Sequence, residues 1–407
     1  MLDIFSKHED NDCKHEYHNR VYRKLTASYF CGTLELFLGF RKMEDITMLS
    51  EMTSKERVLA AINHQPVDRI PTDYWGTWET TQKLIKALGV KDEIELFQHL
   101  EIDKFAGIGA PYIGPPLPKD DEVRTDCWGI KYVNVPYADG AGSYEEECFH
   151  PLAQYETIDE IEANYTWPKV EWFDFDGVPA QFDEMPDHAT WGGYIAPFYF
   201  LTKLRGMEQS LMDMAAEPEL TEYIVGKICD YFYDFHTKLF DAADGRLDIS
   251  QLTDDFGSQQ GLMISPDMFD RYFKKHYERF VKLMKSYNIK VFHHDCGAIM
   301  KLLPALVDVG IDILNPIQWH LPGMDLKELK DRFGKQICFH GGIDNQDVLP
   351  FGTVEDVKRE VATCLDVLAS DGTGYILAPC HNLQVITPVE NVVTMYRTAK
   401  ELGRRSG

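Results

Sequence analysis

The chain of 407 residues carries 41 Lys and Arg against 66 Asp and Glu, which gives a formal net charge of −25. This charge leaves little basic surface for phosphate backbones, so we expect a small-molecule or protein partner and no nucleic acid. The hydrophobic content of 44% is enough to bury a large core, which excludes an intrinsically disordered protein.

The sequence contains no run of 18 or more apolar residues, and its N-terminus lacks the basic start, apolar stretch and cleavage site of a signal peptide. We therefore predict a cytoplasmic protein with no membrane contact. Nine cysteines without regular spacing are typical of a reducing compartment, where thiols stay free or bind metal.

Residues 1–47 mix charges, histidines and a short apolar patch without a sustained period, and no function is assigned to them. A helix is expected to begin near Thr53 or Ser54, either of which can cap it. The sequence thus predicts an N-terminal extension of doubtful structure over residues 1–47 and one domain over residues 48–407.

From residue 68 onward, short β-rich segments alternate with amphipathic helical segments, the pattern of parallel βα units. Helices are predicted over residues 265–288, with Ser265 as the cap, and over residues 353–372, with Thr353 as the cap. The eight predicted strands are "RIPTDYWG" (69–76), "DKFAGIG" (103–109), "YIAPFYF" (194–200), "LDISQLTDDFG" (247–257), "KVFHHDCG" (290–297), "DILNPIQ" (312–318), "ICFHGGID" (337–344) and "GYILAPCH" (374–381).

Eight βα units close into a barrel, so we predict an α/β fold of the (β/α)8 TIM barrel type. Residues 110–190 interrupt the pattern with Pro, Gly, Asp and aromatic residues, and are predicted to form an insertion after the second strand. A doubly wound open sheet is the competing architecture, but no GxGxxG follows any strand.

A possible metal ligand set stands at the ends of the fifth and last predicted strands. His294 and Cys296 are two residues apart, so they lie on one face of a strand and can chelate one ion. A core histidine beside a buried thiol is the plain alternative. Cys380 is expected at the same end of the barrel, and the alternative is that it packs there as a small hydrophobic side chain. One imidazole and two thiolates suit Zn²⁺ and leave a fourth position open, so we predict a catalytic zinc site at His294, Cys296 and Cys380.

A zinc site with thiolate ligands suits methyl transfer in two ways. It can hold a substrate thiol as the nucleophilic thiolate, or it can polarise an ether or amine so that its methyl group is easier to remove. Hydrolysis by zinc-bound water is a third use, but the sequence contains no HExxH.

Other polar and aromatic residues at the ends of predicted strands are expected to contact the substrate, although the aromatic ones can also serve as barrel packing. Asp254 or Asp255 is predicted to act as an acid, a base or a support for a ligand, while helix capping is an equal alternative. A rival metal pair of Cys338 and His340 ranks lower because Cys338 should lie deeper in the barrel. The expected substrate contacts are Tyr74, Trp75, Asn315, Gln318, His340 and Asp344.

In these motifs the chain resembles the uroporphyrinogen decarboxylase superfamily, and within it the zinc- and corrinoid-dependent methyltransferases. The likeness runs from about Thr53 to Gly403 and is strongest in "HHDCGAI", "VDVGIDILNPIQ", "HGGIDNQDVLPFGTVEDV" and "LAPCHNLQVITPVENV". The resemblance implies a barrel in which His294, Cys296 and Cys380 bind zinc. It also implies a corrinoid protein partner whose cobalt gives or takes the methyl group.

The decarboxylase branch matches at fewer positions. The resemblance implies that its members hold a porphyrinogen with eight carboxylates through arginines after the first strand and an aspartate on the second. Here the loop "DYWGTWETTQK" has no arginine, and Gly107 stands in place of the aspartate. His381 does match a decarboxylase histidine and is predicted, with Asp254 and Asp255, to be catalytic.

The sequence therefore predicts a zinc-dependent methyltransferase. It would move a methyl group between a small methylated substrate, such as a methoxylated aromatic, or a thiol, and a corrinoid protein. Uroporphyrinogen decarboxylation and a non-catalytic binding barrel are the alternatives.

Overall fold

The computed structural model describes residues 51–120 and 122–404. The predicted extension over residues 1–47 lies outside the described residues. The described residues form ten strands, seven in one parallel sheet and three in an antiparallel sheet. They are β1 (Ala106–Ile108), β2 (Val123–Thr125), β3 (Lys131–Tyr137), β4 (Gly142–Phe149), β5 (Thr190–Ile195), β6 (Ile249–Leu252), β7 (Lys290–His294), β8 (Ile313–Asn315), β9 (Cys338–Ile343) and β10 (Tyr375–Pro379).

Fifteen α-helices accompany these strands in the described part of the chain. They are α1 (Ser54–Ile62), α2 (Trp78–Leu88), α3 (Glu93–Leu100), α4 (Ile158–Asn164), α5 (Val178–Gln181), α6 (Pro197–Arg205), α7 (Met207–Ala216), α8 (Pro218–Ala243), α9 (Pro266–Tyr272), α10 (Lys274–Ser286), α11 (Leu303–Val309), α12 (Leu326–Phe333), α13 (Val348–Phe351), α14 (Val354–Leu368) and α15 (Val389–Gly403).

The parallel sheet runs in the order β1, β5, β6, β7, β8, β9, β10 and closes through the predicted first strand, residues 69–76. Thr72 in this segment forms a parallel bridge with Leu377 of β10. On its other side, the carbonyl of Thr72 accepts a hydrogen bond of 2.8 Å from the backbone N–H of Asp103, just before β1. Residues 69–76, called the first stave from here on, thus complete the eight strand positions of the barrel. The (β/α)8 barrel prediction is confirmed.

The strands that carry the site are buried on both faces. Every residue of β6, β8, β9 and β10 is buried, because helices cover the outside of the barrel and side chains fill its centre. Aromatic rings fill the centre: Trp75 lies 6.2 Å from both Trp191 and Phe292, measured between ring centroids. The barrel is therefore a packed core with its functional groups at one end.

Most predicted helix starts are confirmed. Thr53 and Thr353 each form a capping box with the residue three positions later, and Ser265 accepts a hydrogen bond from the backbone N–H of Met268. The single helix predicted over residues 265–288 is instead α9 and α10. Phe273 separates them, fully buried against other aromatic rings of the core.

The strand predicted over residues 194–200 was wrong after Ile195. The strand β5 ends at Ile195, and Pro197 opens α6. Proline has its φ fixed near the helical value and no N–H to donate, so it suits the first turn of a helix better than an interior strand.

The predicted insertion separates β1 from β5 and contains the antiparallel sheet β2–β3–β4 with the short helices α4 and α5. Trp128 packs the insertion against α8. Its ring centroid lies 4.8 Å from that of Tyr231 and 5.6 Å from that of Phe232, both on this helix. No helix among the described residues is both long enough and apolar enough to cross a membrane.

Candidate metal centre and active site

Three potential metal ligands meet at the carboxyl end of the barrel. His294 is the last residue of β7, Cys296 follows two residues later, and His381 follows two residues after the end of β10. One ligand atom from each lies within 4.8 Å of the other two. The Cys296 Sγ is 3.3 Å from the His294 Nε2, so the three form a group able to hold a metal ion.

His294 is held in place from two sides. Its Nδ1 lies 2.5 Å from the Oδ1 of Asn315, its partner in the β7–β8 register. The ring of Trp75 stacks on it with centroids 5.5 Å apart and planes inclined by 6°. These contacts leave the Nε2 of His294 directed at the other two ligand atoms.

The donor set fits a borderline ion such as Zn²⁺. Burial lowers the pKa of His294 and of His381 to about 3, so both imidazoles are neutral and each can offer a nitrogen lone pair. Burial, with the charge of Asp255 added, raises the pKa of the Cys296 thiol well above its usual value. Neutral imidazole and a thiol that a cation can deprotonate are typical zinc ligands.

Asp255 faces this group. Its Oδ1 is 3.7 Å from the His294 Nε2 and accepts a hydrogen bond of 3.0 Å from the backbone N–H of Cys296. About a third of the side chain is exposed, 34%, so it is reachable from the solvent side. Burial raises the pKa of this carboxyl above its usual value. A carboxyl so placed can hold or release a proton beside the ligand group.

Cys380, the third ligand predicted from the sequence, is not part of the group. It is 3% exposed, and its thiol donates to the carbonyl of Ile317 at 3.3 Å. The ligand atoms of His294, Cys296 and His381 lie within 4.8 Å of one another, and Cys380, outside this group, stays a predicted ligand.

Asn315 and His340, predicted to contact substrate, lie beneath the ligand group with no exposed surface. The Nδ2 of Asn315 is 2.7 Å from the Nδ1 of His340. Asn315 contacts His294 directly and His340 contacts Asn315, and their contact with substrate stays a prediction.

Three further predicted contacts have structural partners. Tyr74 is 3% exposed, and its hydroxyl is 2.9 Å from the Oγ1 of Thr81 on α2, outside the barrel. Gln318 accepts a hydrogen bond of 2.6 Å from the backbone N–H of Gly297, next to Cys296. Asp344 accepts from the backbone N–H of Gln346 at 2.7 Å. Two of the six predicted contacts touch His294 of the ligand group: Trp75 stacks on its ring, and Asn315 is hydrogen-bonded to its Nδ1.

Asp254 has the capping role left open by the sequence. Its carboxyl accepts hydrogen bonds of 2.8 Å from the backbone N–H of Tyr199, in the first turn of α6, and from the hydroxyl of Tyr277. It is 2% exposed, and burial raises its pKa well above the usual value. Asp254 therefore anchors α6, and Asp255 is the acid that faces the ligand group.

A cavity of about 270 Å³ adjoins Asp255. Sequence reasoning missed its walls, because they come from the insertion, from the start of α7, from α6 and from the loop after β6. Burial lowers the pKa of Lys203 in this cavity to about 8, and its ammonium group pairs with Glu147 of β4. The apolar lining consists of Phe198, Tyr199, Met207 and Met263.

Sequence reasoning also missed Asp73. It has no exposed surface, and its Oδ2 lies 3.1 Å from the Nε2 of His340 and 2.8 Å from the Nε1 of Trp75. An acid inside the otherwise apolar strand "RIPTDYWG" was the available signal, since a carboxylate is rarely buried without a partner.

A family model described as "Uroporphyrinogen decarboxylase (URO-D)" matches residues 178–402. This range is more than half of the chain and contains the three ligand residues and Asp255. The chain belongs to the URO-D family. The resemblance inferred from the sequence is thereby confirmed.

Two curated relatives in this family are uroporphyrinogen decarboxylases. That of Trichodesmium erythraeum is 35% identical over 102 residues, 25% of this chain and 26% of the relative. That of Synechocystis is 27% identical over 161 residues, 38% of this chain and 41% of the relative. This URO-D member thus matches only about a quarter to two fifths of the length of these relatives.

A solved structure extends the likeness to nearly the whole fold. A methyltransferase from Methanosarcina mazei is 18% identical, with a TM-score of 0.60, and the match covers 86% of this chain and 99% of that chain. At this identity the likeness establishes the fold shared by the two proteins. The URO-D match itself begins at Val178, so the stave with Asp73 and Trp75 lies outside it.

Proposed function

We propose that this URO-D family member is a zinc-dependent methyltransferase. It moves a methyl group between a small methylated substrate, such as a methoxylated aromatic, or a thiol, and a corrinoid protein. The group of His294, Cys296 and His381 at the open end of the barrel carries the proposal, since two nitrogens and a sulfur within 4.8 Å leave room for a substrate atom. The methyltransferase activity of the Methanosarcina mazei protein, which has the same fold, agrees with it.

Each residue of the site has a task in this reaction. His294, Cys296 and His381 would hold the zinc, which supplies Lewis-acid polarisation when it is bound. The cavity beside Asp255 receives the apolar part of the substrate against Phe198 and Met263. Asp255 lines this cavity and faces His294, so it joins the cavity to the ligand group.

In transfer from a methyl ether, the bond between the methyl carbon and the oxygen breaks. The methyl carbon forms a bond with the reduced cobalt of the partner's corrinoid, which supplies the electron pair. The departing oxygen keeps the electrons of the broken bond and takes up a proton. Asp255 is placed to deliver that proton, since its carboxyl faces the ligand group.

Uroporphyrinogen decarboxylation is the second candidate, because the curated relatives have that activity and His381 lies at the rim. Two observations weigh against it. Gly107 of β1 offers no carboxylate to pyrrole nitrogens, and Lys203 in the cavity is already paired with Glu147. Each unmade charged hydrogen bond to a substrate carboxylate would cost roughly 1.5 to 3 kcal/mol.

Metal analysis of the purified protein and of ligand variants tests the zinc site. We expect about one zinc per chain, as in single-ion catalytic sites, lost in Cys296→Ser because that sulfur lies within the ligand group. His381→Gln and Cys380→Ser then identify the third ligand. We expect the greater loss in His381→Gln, since the Cys380 thiol is turned to the carbonyl of Ile317. A greater loss in Cys380→Ser would restore the ligand set predicted from the sequence.

Activity separates the candidate functions. Methyl donors are screened with a corrinoid protein or free corrinoid, and methylation of cobalt is followed by the change in corrinoid absorbance. Zinc-loaded protein that methylates the corrinoid supports the proposal. Metal-free protein that decarboxylates a porphyrinogen contradicts it, and zinc-loaded protein that binds methyl donors without turnover indicates a binding barrel.

A further inference from the structure

A chain of hydrogen bonds leads from the ligand group into the barrel and ends on a buried carboxylate. The His294 Nδ1 is 2.5 Å from the Asn315 Oδ1, and the Asn315 Nδ2 is 2.7 Å from the His340 Nδ1. The His340 Nε2 is 3.1 Å from the Asp73 Oδ2. The four residues come from β7, β8, β9 and the first stave, and none has more than 1% of its surface exposed.

The chemistry of the partners allows one assignment of protons along this chain. Asp73 as a carboxylate can only accept, so the His340 Nε2 carries a hydrogen and its Nδ1 keeps a lone pair. The amide of Asn315 is oriented by the backbone carbonyl of His340, which lies 3.5 Å from the Nδ2 and can only accept. The Nδ2 therefore donates to His340, and the Oδ1 accepts from the Nδ1–H of His294.

The result of this order is a His294 with its hydrogen on Nδ1 and its lone pair on Nε2. That lone pair faces the Cys296 Sγ, 3.3 Å away, where a metal ion would bind. The other neutral tautomer would direct an N–H at the ion and could not bind it. The position of one hydrogen thus decides whether this imidazole is a ligand.

The charge at the far end of the chain has its own support. Lys104 places its ammonium nitrogen 3.8 Å from the Asp73 Oδ1, and Trp75 donates its indole N–H to the Oδ2 at 2.8 Å. Burial opposes ionisation of Asp73, but Lys104 and His340 outweigh it, and its pKa lies below the usual value. Asp73 is therefore an anion whose field acts along the chain toward the ligand group.

We propose that Asp73, His340 and Asn315 are positioning residues that hold His294 as the Nδ1–H tautomer and increase its strength as a metal ligand. This inference rests on the proposed zinc site for its function, but the tautomer itself does not require a metal. A plain structural role for the same hydrogen bonds predicts a loss of stability on mutation and no effect on metal affinity.

Two variants interrupt the chain at different links. Asn315→Leu keeps a similar volume and removes both the acceptor for His294 and the donor for His340. Asp73→Asn keeps the acceptor for His340 and removes the charge. Asp103→Asn is the matched control. Asp103 is also a buried carboxylate of the barrel, 1% exposed, but it binds Arg57 and Arg69 and takes no part in the hydrogen-bond chain to His294.

Nitrogen-15 NMR of histidine-labelled, metal-free protein tests the tautomer directly. We expect His294 as the Nδ1–H form and His340 as the Nε2–H form in the wild-type protein and in Asp103→Asn. In Asn315→Leu we expect His294 to move toward the Nε2–H form, since its acceptor is gone. An unchanged His294 signal in a folded Asn315→Leu would overturn the proposal.

Zinc affinity, measured by competition with a chromophoric chelator, tests the effect on the ligand. We expect binding weakened by about 10- to 100-fold in Asn315→Leu and about 10-fold in Asp73→Asn, with Asp103→Asn unchanged. The ligand-field absorption of the Co²⁺-substituted protein should shift in the same two variants. Equal affinity and spectrum in all folded variants would refute the effect on the ligand.

The two measurements separate this inference from the proposed function. If the wild-type protein binds neither Zn²⁺ nor Co²⁺ but shows the expected tautomers and their change in Asn315→Leu, the zinc-dependent function fails and the positioning of His294 stands. If zinc binds and His294 does not respond to Asn315→Leu, the function stands and the positioning role fails.

Discussion

Asp254 and Asp255 are adjacent in the sequence but have different environments. Asp254 is 2% exposed and anchors the first turn of α6 through the backbone N–H of Tyr199. Asp255 keeps about a third of its side chain exposed, 34%, and faces His294. The two adjacent carboxyls therefore face different parts of the structure, Asp254 the start of α6 and Asp255 the ligand group.

Asp255→Asn tests this assignment at the level of one residue. The amide can still accept from the backbone N–H of Cys296 but cannot deliver a proton, so we expect zinc to be retained and turnover of a methyl ether to fall by about 100-fold or more. Zinc content and the rate of corrinoid methylation are the measurements. Full turnover would rule out the proton-donor role, and lost zinc would make Asp255 a ligand.

Secondary structure elements contribute buried ionisable groups outside the site as well. Helix α8 carries His236, which has no exposed surface and lies 5.5 Å from the ring of Phe240 and 5.6 Å from that of Phe280. Its Nδ1–H donates to the carbonyl of Phe232, one turn earlier on the same helix. Burial in this apolar layer lowers the pKa of His236 to about 4.

This shift gives stability a pH dependence that belongs to α8. Between about pH 6.5 and pH 4 the unfolded chain takes up a proton at this position and the folded chain does not, so the free energy of unfolding falls as pH decreases. His236→Asn keeps a donor for Phe232 and cannot be protonated. We expect its stability, measured by urea denaturation, to vary less with pH, by at most about 1.4 kcal/mol per pH unit. Identical slopes in both proteins would show that His236 is protonated in the fold.

At the scale of the whole molecule, the barrel closes through a buried ion network. Asp103, 1% exposed, accepts hydrogen bonds of 2.6 Å from Arg57 on α1 and from Arg69 of the first stave. It also accepts from the backbone N–H of Thr72 at 3.0 Å. The network joins the first stave to the segment before β1, where strand pairing is sparse.

Asp103→Ala should open this junction. It leaves the guanidinium of Arg57 buried without one of its carboxylate partners, so we expect a loss of about 3 to 5 kcal/mol in the free energy of unfolding. Chemical denaturation measures it, with Lys327→Ala as the comparison. Lys327 and Asp331 form an exposed pair on α12, whose loss should change stability little. Similar effects of both substitutions would contradict the closing role of Asp103.

The sequence by itself determined the alternation of βα units, the family and two of the three residues of the ligand group, His294 and Cys296. Seven of the eight predicted staves contain an observed strand or, for residues 69–76, the bridge that closes the barrel, because strand periodicity and turn residues are local signals. The segment over residues 194–200 was misassigned as strand beyond Ile195, where Pro197 opens a helix. His294 and Cys296 were readable as a pair because they are two residues apart on one strand.

Only the tertiary structure showed which third side chain lies beside that pair and which residues support it. The choice between Cys380 and His381 depends on how the backbone turns after β10, which spacing does not reveal. The hydrogen bonds from His294 to Asp73 join residues 294, 315, 340 and 73, which lie on four strand positions far apart in sequence. Their proximity follows from barrel closure and strand register, and both depend on long-range packing that local residue patterns do not encode.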